Sequence, residues 1–350
     1  MSRRPYRVVL IVPTGIGAAI GGYAGDALPV ARAIAQVADT LITHPNVLNG
    51  AQLYWPLTNA YYVEGYGLDQ VAAGRWGLRP VHQNRIGLVL DQAIEPELKL
   101  RHLQAADAAR ATLGLELTDY VVTDAALGVE LQTANSGATW GTIQNPDSLL
   151  RAAERLITQG VADAIAVVAR FPDDLGSEAL QQYRQGQGVD PLAGAEAVIS
   201  HLVVRTFQIP CAHAPALSPL PIDSALSPRS AAEELGYTFL PCVLAGLSQA
   251  PQFINQAPAQ ANDLWADQID AVVVPATACG GAAVMSLSQT GARIIAVAEN
   301  QTTMQASASA LGIEALQVNS YLEAIGALVT HRAGISGAAL HPLLPSIKPL

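Results

Sequence analysis

Lysine is nearly missing from this chain: Lys99 and Lys348 are the two that occur in 350 residues. A Schiff-base mechanism therefore has two candidates. Lys99 sits in the alternately charged and apolar EPELKLRHLQAADAARATLG, which reads as a solvated helix face. Charge is scarce as well, at 14% of residues, and the formal net charge is -10. A surface of that sign does not displace counterions from a phosphate backbone, so nucleic acid is excluded as a general partner. The cysteines Cys211, Cys242 and Cys279 have no paired spacing and no CxxC pattern. That points to a reducing compartment and away from a disulfide framework or a zinc site. His201, His213, His331 and His341 also lack metal-ligand spacing, so no metal is expected. No Gly-Lys-Ser/Thr occurs, which removes a Walker loop.

Half of the residues are hydrophobic, enough for the core of one large or two ordinary domains. Short apolar runs without polar alternation, such as VVLIV and AVVVP, recur between helical segments. Strands covered by helices on both faces read this way. The pattern predicts an α/β protein with mostly parallel sheets, helices on both faces and right-handed crossovers. Strands are expected at 6–12, 40–43, 86–90, 120–123, 164–168, 202–209, 239–244, 271–274, 294–298 and 315–318. Helices are expected at 26–38, capped by Asp26, at 146–159 after Asn145-Pro146, at 282–289 and at 302–311. Prolines crowd Gln208 to Ser230, a long loop or connector, and 249–263 is a second polar link. The division that follows is an N-terminal α/β lobe at 1–130, a middle segment or insertion at 131–262 and a C-terminal α/β lobe at 263–350. The start, MSRRPYRVVLIVPTGIGAAIGGYAG, is charged then apolar like a leader, but Pro13 and several glycines interrupt it. A buried strand entering a glycine loop fits better, so a cytoplasmic protein without membrane insertion is expected.

One phrase is written twice. Residues 8–22 read VVLIVPTGIGAAIGG and residues 270–281 read DAVVVPATACGG. The next strand regions, ADTLITHPN at 38–46 and ARIIAVAEN at 292–300, align from alanine to asparagine. Strand propensity alone favours such strings; the other reading is a pair of similar βαβ halves facing one cleft. In open parallel sheets, ligands bind beyond the carboxyl ends of the strands. Choosing residues by that position alone gives Thr14, Gly15, Gly17, His44, Asn46, Asp91, Asp124, Thr277, Cys279, Gly280, Gly281, Glu299 and Asn300.

Cys279 falls between a strand end and a helix start, where the helix dipole favours a thiolate, and Gly280-Gly281 admit an anion close to the backbone. A free cysteine is also commonly a small buried hydrophobe, the reading given to Cys211 and Cys242. His44 is either a proton shuttle or a strand cap. Glu299 is either a base or a helper at the start of the next helix. Gly15-Ile16-Gly17 invites a dinucleotide reading, but the helix starts too late and Thr43-His44 replaces the acidic ribose ligand. SGATWGT at 136–142, GYGLD at 65–69 and YRQGQGVDP at 183–191 suit either pocket walls or surface turns.

At SGATWGTIQNPDSLL, AAEELGYTFLPC and VVVPATACGG the chain resembles a family of conserved proteins from cyanobacteria and plant plastids. The resemblance implies a cytoplasmic or stromal setting and assigns no activity. DAVVVPATACGG is also similar to the strand-plus-cysteine exits of the aspartate/glutamate racemase type of fold, which implies two α/β lobes around a small carboxylate. The departure is that no cysteine precedes Cys211, so a single-thiol isomerase, lyase or hydrolase fits better than a two-thiol racemase.

The expectation is a small-molecule enzyme acting on an anionic carboxylate or phosphate metabolite. Cys279, His44 and Glu299 would do chemistry, and Thr14, Gly15, Gly17, Asn46, Thr277, Gly280, Gly281 and Asn300 would bind. The sequence names no cofactor and leaves a homo-oligomer open. The alternatives are a non-catalytic nucleotide- or metabolite-binding module and an assembly factor in photosynthetic organisms.

Overall fold

The repeated β-branched runs become neighbouring parallel strands, Val8 beside Ala271 and Leu10 beside Val273. A computed structural model describes the chain except residues 1–3, 51, 52, 54, 174–176, 235–239, 256, 257, 259, 345 and 348–350; Lys348 lies outside the described residues. The early strands are β1 (Arg7–Leu10), β2 (Thr40–Thr43), β3 (Ala60–Tyr62), β4 (Gly77–Arg79) and β5 (Ile86–Leu90). Then come β6 (Leu117–Val122), β7 (Val129–Thr133), β8 (Thr139–Ile143), β9 (Ala164–Arg170) and β10 (Cys211–Ala216). The last are β11 (Gln252–Ile254), β12 (Ala271–Pro275), β13 (Arg293–Val297) and β14 (Ala315–Val318).

A six-stranded sheet runs β14-β13-β12-β1-β2-β3 and a four-stranded sheet runs β10-β9-β5-β6. Both are parallel throughout. In the larger sheet the chain winds outward from β1 in one direction and from β12 in the other. Right-handed crossovers then put the Leu28–Ala35 helix on one face and the Ala282–Leu287 helix on the opposite one. Burial agrees: Ile34 packs with Val8 and Leu10, whereas Val284 packs with Val9 and Val272. With both faces covered, these strands bury every second residue in one core and the alternate residues in the other. Each fully buried valine or leucine stabilises the fold by about 1.5–3 kcal/mol. The smaller sheet repeats this topology, winding outward from β5 and β9.

Several expectations need correction. Of residues 202–209, read as a strand, 202–207 complete the Ala193–Phe207 helix and Gln208 caps it, and 240–244 begin the Leu240–Ser248 helix, with Phe239 outside the described residues. Both stretches are β-branched or apolar, but each packs as a helix over the smaller sheet, and tertiary burial overrides weak propensity. Residues 302–311 form no α-helix; only Ser309–Leu311 makes a short 3-10 turn. Their backbone is engaged elsewhere: Thr303 N–H donates to Ile16 O, Ala306 N–H to Thr277 O, and Ala306 O accepts from Cys279 N–H. Asp26 does not cap its helix but accepts from Gly21 N–H and pairs with Arg229. The supposed connector opens with β10, whose Pro215 is tolerated because β10 is an edge strand. The smaller sheet draws its strands from 86–216, so it begins well before residue 131.

The glycine loop between β1 and the first helix ties the larger sheet to β8, which pairs with β7 in an antiparallel hairpin. Gly15 O accepts from Thr139 N–H at the start of β8, and a Cβ on Gly15 would sit 2.9 Å from Thr139 Oγ1. Gly25 has φ +81°, and a Cβ there would lie 2.1 Å from Asn49 O. Gly25→Ala is therefore expected to cost about 2 kcal/mol or more through left-handed strain and overpacking, read as a lower urea midpoint at unchanged slope.

Candidate functional site

Beyond the carboxyl ends of β1, β2 and β3 lies a cavity of about 310 Å³. Its floor comes from the strand exits Thr14, His44, Asn46 and Glu64, and one wall from the helix that follows β12, Gly281 to Val284. The opposite wall is Ala193, Ala197, Ser200 and His201 of the Ala193–Phe207 helix, with His213 of β10 beside them. The site thus lies next to the point where the winding direction reverses, the usual place for a ligand in such sheets. Spacings of four, seven and eight residues put 193, 197, 200 and 201 on one helical face.

Helices starting at Pro45, Gly65, Ala193 and Ala282 all begin at this cavity. Internal carboxylates serve three of these ends. Glu64 accepts from Gly67 N–H, Asp69 from Ala283 N–H and Asp190 from Ala193 N–H. Burial is the main cause holding the Asp69 carboxyl above its ordinary range, and Glu64 adds to it, while Ala283 N–H and His201 oppose. Glu64 also pairs with His201 Nδ1. Burial works against the His201 charge, but the close Glu64 carboxylate, helped by Asp69, outweighs it and raises His201 above the ordinary histidine value.

His44 plays a different part from the shuttle that its position allowed. Its Nε2 accepts from Val12 N–H at 3.0 Å, so the lone pair is used and the proton rests on Nδ1. Burial lowers its pKa to about 4, with Val12 N–H opposing. His44 is a neutral N–H donor at the cavity, not a base.

Of the expected residues, Thr14, His44, Asn46 and Gly281 line this cavity, while Gly17 faces a second one together with Tyr23, Arg229 and Thr302. Asn46 and Asn300, the paired ends of the repeated phrase, hold the glycine loop from two sides. Asn46 Nδ2 donates to Gly21 O, and Asn300 bonds both the N–H and the C=O of Ile20. Thr277 bonds Thr302 Oγ1. Glu299 is exposed and accepts from Tyr321 N–H at the start of the Tyr321–Ala333 helix, not at the helix expected after Gln301, which does not form. Asp91 is consumed by the backbone N–H groups of Ala93, Leu127 and Arg170, and Asp124 by Arg151 and Ser148.

Cys279 is fully buried, does not line the cavity, and its Sγ faces the carbonyls of Pro275 and Ala276. Burial raises its pKa, with a backbone N–H opposing, so the thiolate expected from the helix dipole is not favoured. The Ala282–Leu287 helix is short, and its Ala283 N–H is already spent on Asp69. Cys211 and Cys242 are buried too. In the native protein at pH 8 all three thiols are expected to react with Ellman's reagent far more slowly than free cysteine, and after denaturation at the free rate.

Sequence reasoning missed His201, His213, Ser200 and Glu64. The 202–209 run read as a strand, which hid the helical spacing joining Ala193, Ala197 and His201. Asp69 was legible only as part of GYGLD.

The chain belongs to the family described as "Protein of unknown function (DUF3326)", whose model matches residues 7–341. It is 62% identical over 342 residues to an "Uncharacterized lipoprotein" of the cyanobacterium Synechococcus sp. (strain ATCC 27144 / PCC 6301 / SAUG 1402/1), covering 98% of this chain and 95% of that protein. The resemblance to a conserved cyanobacterial family of unassigned activity is thereby established. No solved structure matches the chain. Among the described residues no helix is long and apolar enough to cross a membrane.

Proposed function

We propose that this protein is a cofactor-independent enzyme acting on a small anionic metabolite, a carboxylate or a phosphate, in the cavity beyond β1, β2 and β3. The observation that carries this reading is the His201–Glu64 pair opening onto a cavity that His44 also lines. His201, whose hold on a proton the Glu64 carboxylate strengthens, supplies positive charge and a proton to give. Neutral His44 supplies a fixed N–H for an oxygen that gains charge, a role in which an imidazole is useful because it stays uncharged. Thr14 adds a hydroxyl, and the internal carboxylates are already satisfied by protein donors. Cys279 takes no part. The protein works in the cytoplasm, or in the stroma of plastid relatives.

Incubation with a cyanobacterial small-metabolite extract, followed by mass spectrometry, tests it. Wild-type protein is expected to deplete at least one small acid, and His201→Gln to slow that depletion about 100-fold. Retention of an acid without turnover would select the non-catalytic binding module, which uses the same donors. Neither depletion nor retention would overturn both.

A further inference from the structure

The geometry points to Ser200 as a covalent nucleophile, activated by His213 and oriented by Glu196, for hydrolysis of a small ester carrying an anionic group. The inference rests on the proposed cavity and adds to it the reaction type and the attacking atom.

Glu196 and Ser200 lie four residues apart on the Ala193–Phe207 helix and so share a face, and His213 meets that face from β10. Ser200 Oγ is 2.7 Å from His213 Nδ1. The other ring nitrogen, Nε2, is 3.7 Å from a Glu196 carboxylate oxygen, long for a hydrogen bond but within ion-pair reach. A carboxylate on the Nε2 side favours the tautomer with its proton there, which leaves the Nδ1 lone pair to accept from the serine hydroxyl. Nucleophile, base and orienting acid stand in the order that activates a serine, with the two ring nitrogens exchanged relative to the familiar proteases. Ser200 and His213 both line the cavity that holds His44 and His201. The serine is otherwise buried, and its hydroxyl makes no other hydrogen bond among the described residues.

The chemistry balances with water as the second reactant. Ser200 Oγ attacks the ester carbonyl carbon while its proton passes to His213 Nδ1. The carbonyl oxygen takes up the electron pair as an oxyanion, for which His44 Nδ1–H is the candidate donor. Collapse expels the alcohol, which leaves with the proton from His213. Water then attacks the acyl-serine, giving its proton to His213, and release of the acid restores the serine hydroxyl. His201, on the same cavity, accounts for the preference for an anionic group.

The full-length protein is treated with an alkyl fluorophosphonate and its peptides are mapped by mass. Ser200 is expected to carry the phosphonyl adduct with loss of fluoride. Labelling should be absent in Ser200→Ala and about 100-fold slower in His213→Gln, with a smaller slowing in Glu196→Gln. Hydrolysis of p-nitrophenyl hydrogen succinate should exceed that of p-nitrophenyl acetate, a preference lost in His201→Gln. If Ser200→Ala fails to fold, Ser200→Cys replaces it: its new thiol should be alkylated by iodoacetamide faster than the three buried cysteines, and more slowly once His213 is also changed to glutamine. No adduct at Ser200, or labelling at the wild-type rate in His213→Gln, overturns the nucleophile. The cavity reading survives that outcome if an acid is still depleted or retained in a His201-dependent way, and falls with it if not.

Discussion

Asn300→Ala is expected to lower stability by about 3 kcal/mol or more. Asn300 is fully buried, accepts from Ile20 N–H at 2.9 Å, and donates to Ile20 O at 2.8 Å and to Tyr321 Oη at 2.7 Å. Alanine leaves the buried Tyr321 hydroxyl and the half-buried N–H and C=O of Ile20 without their partner, each costing about 1–3 kcal/mol where no water replaces it. Tyr321 already carries the mark of that environment, its hydroxyl pushed up to about 12 by burial, with the Asn300 hydrogen bond opposing. Asn46→Ala, which removes one bond to Gly21 O from a half-buried side chain, should cost only about 1 kcal/mol. Because both asparagines hold one loop, the double variant should depart from additivity, whereas two unrelated sites would add. Urea unfolding of the four proteins decides this. An Asn300→Ala loss below about 1 kcal/mol would mean that the loop is held by something else.

Acidification is expected to remove about 3 kcal/mol of stability through His44 alone. Its folded-state pKa is about 4, below the ordinary value of about 6.5. The unfolded chain therefore binds the proton first as pH falls. The contribution is fully present above the ordinary value and is lost as pH falls through the folded one, at about 1.4 kcal/mol per pH unit. Carboxylates elsewhere add their own acid loss, so the signature is a difference: wild type minus His44→Gln should shrink steeply between about pH 6.5 and pH 4. His201 runs the other way. Its pKa is raised, so its contribution is present below the ordinary histidine value and is lost as pH rises through the raised one. A wild-type and variant pair with parallel acid limbs would show that His44 is not held neutral.

The sheet architecture was legible because two-face burial writes itself into uninterrupted apolar runs. Val8 to Val12 and Ala271 to Val274 carry the apolar runs of inner parallel strands, and the two copies of the repeated phrase became neighbours at the centre of one sheet. What the phrase could not say is how the polar ends would be used. Asn46 and Asn300 looked like ligand groups, yet both are spent on the glycine loop, because a chain turning through Gly15, Gly17, Gly21 and Gly25, all at positive φ, exposes backbone groups that need partners. Cys279 looked reactive because a helix starts just after it, but placement near a helix start says nothing about whether the sulfur faces solvent or carbonyls. The helical wall of the cavity was hidden for a plainer reason. HLVVRTFQI has strand composition, and only packing of the Ala193–Phe207 helix against β8 and β10 makes it helical. Once that segment is read as a strand, Glu196, Ser200 and His201 no longer share a face, and His213 has nothing to meet.

The proposed role of the cavity and of His201 is tested most directly by titrating small mono- and dicarboxylates and inorganic phosphate into the protein while following both its melting temperature and the ring signals of His201 by NMR. At least one anion should raise the melting temperature in a saturable way and shift the His201 signals with the same midpoint, and both responses should vanish in His201→Gln. Stabilisation that persists unchanged in His201→Gln, or His201 signals that no stabilising anion moves, would contradict the assignment of the site.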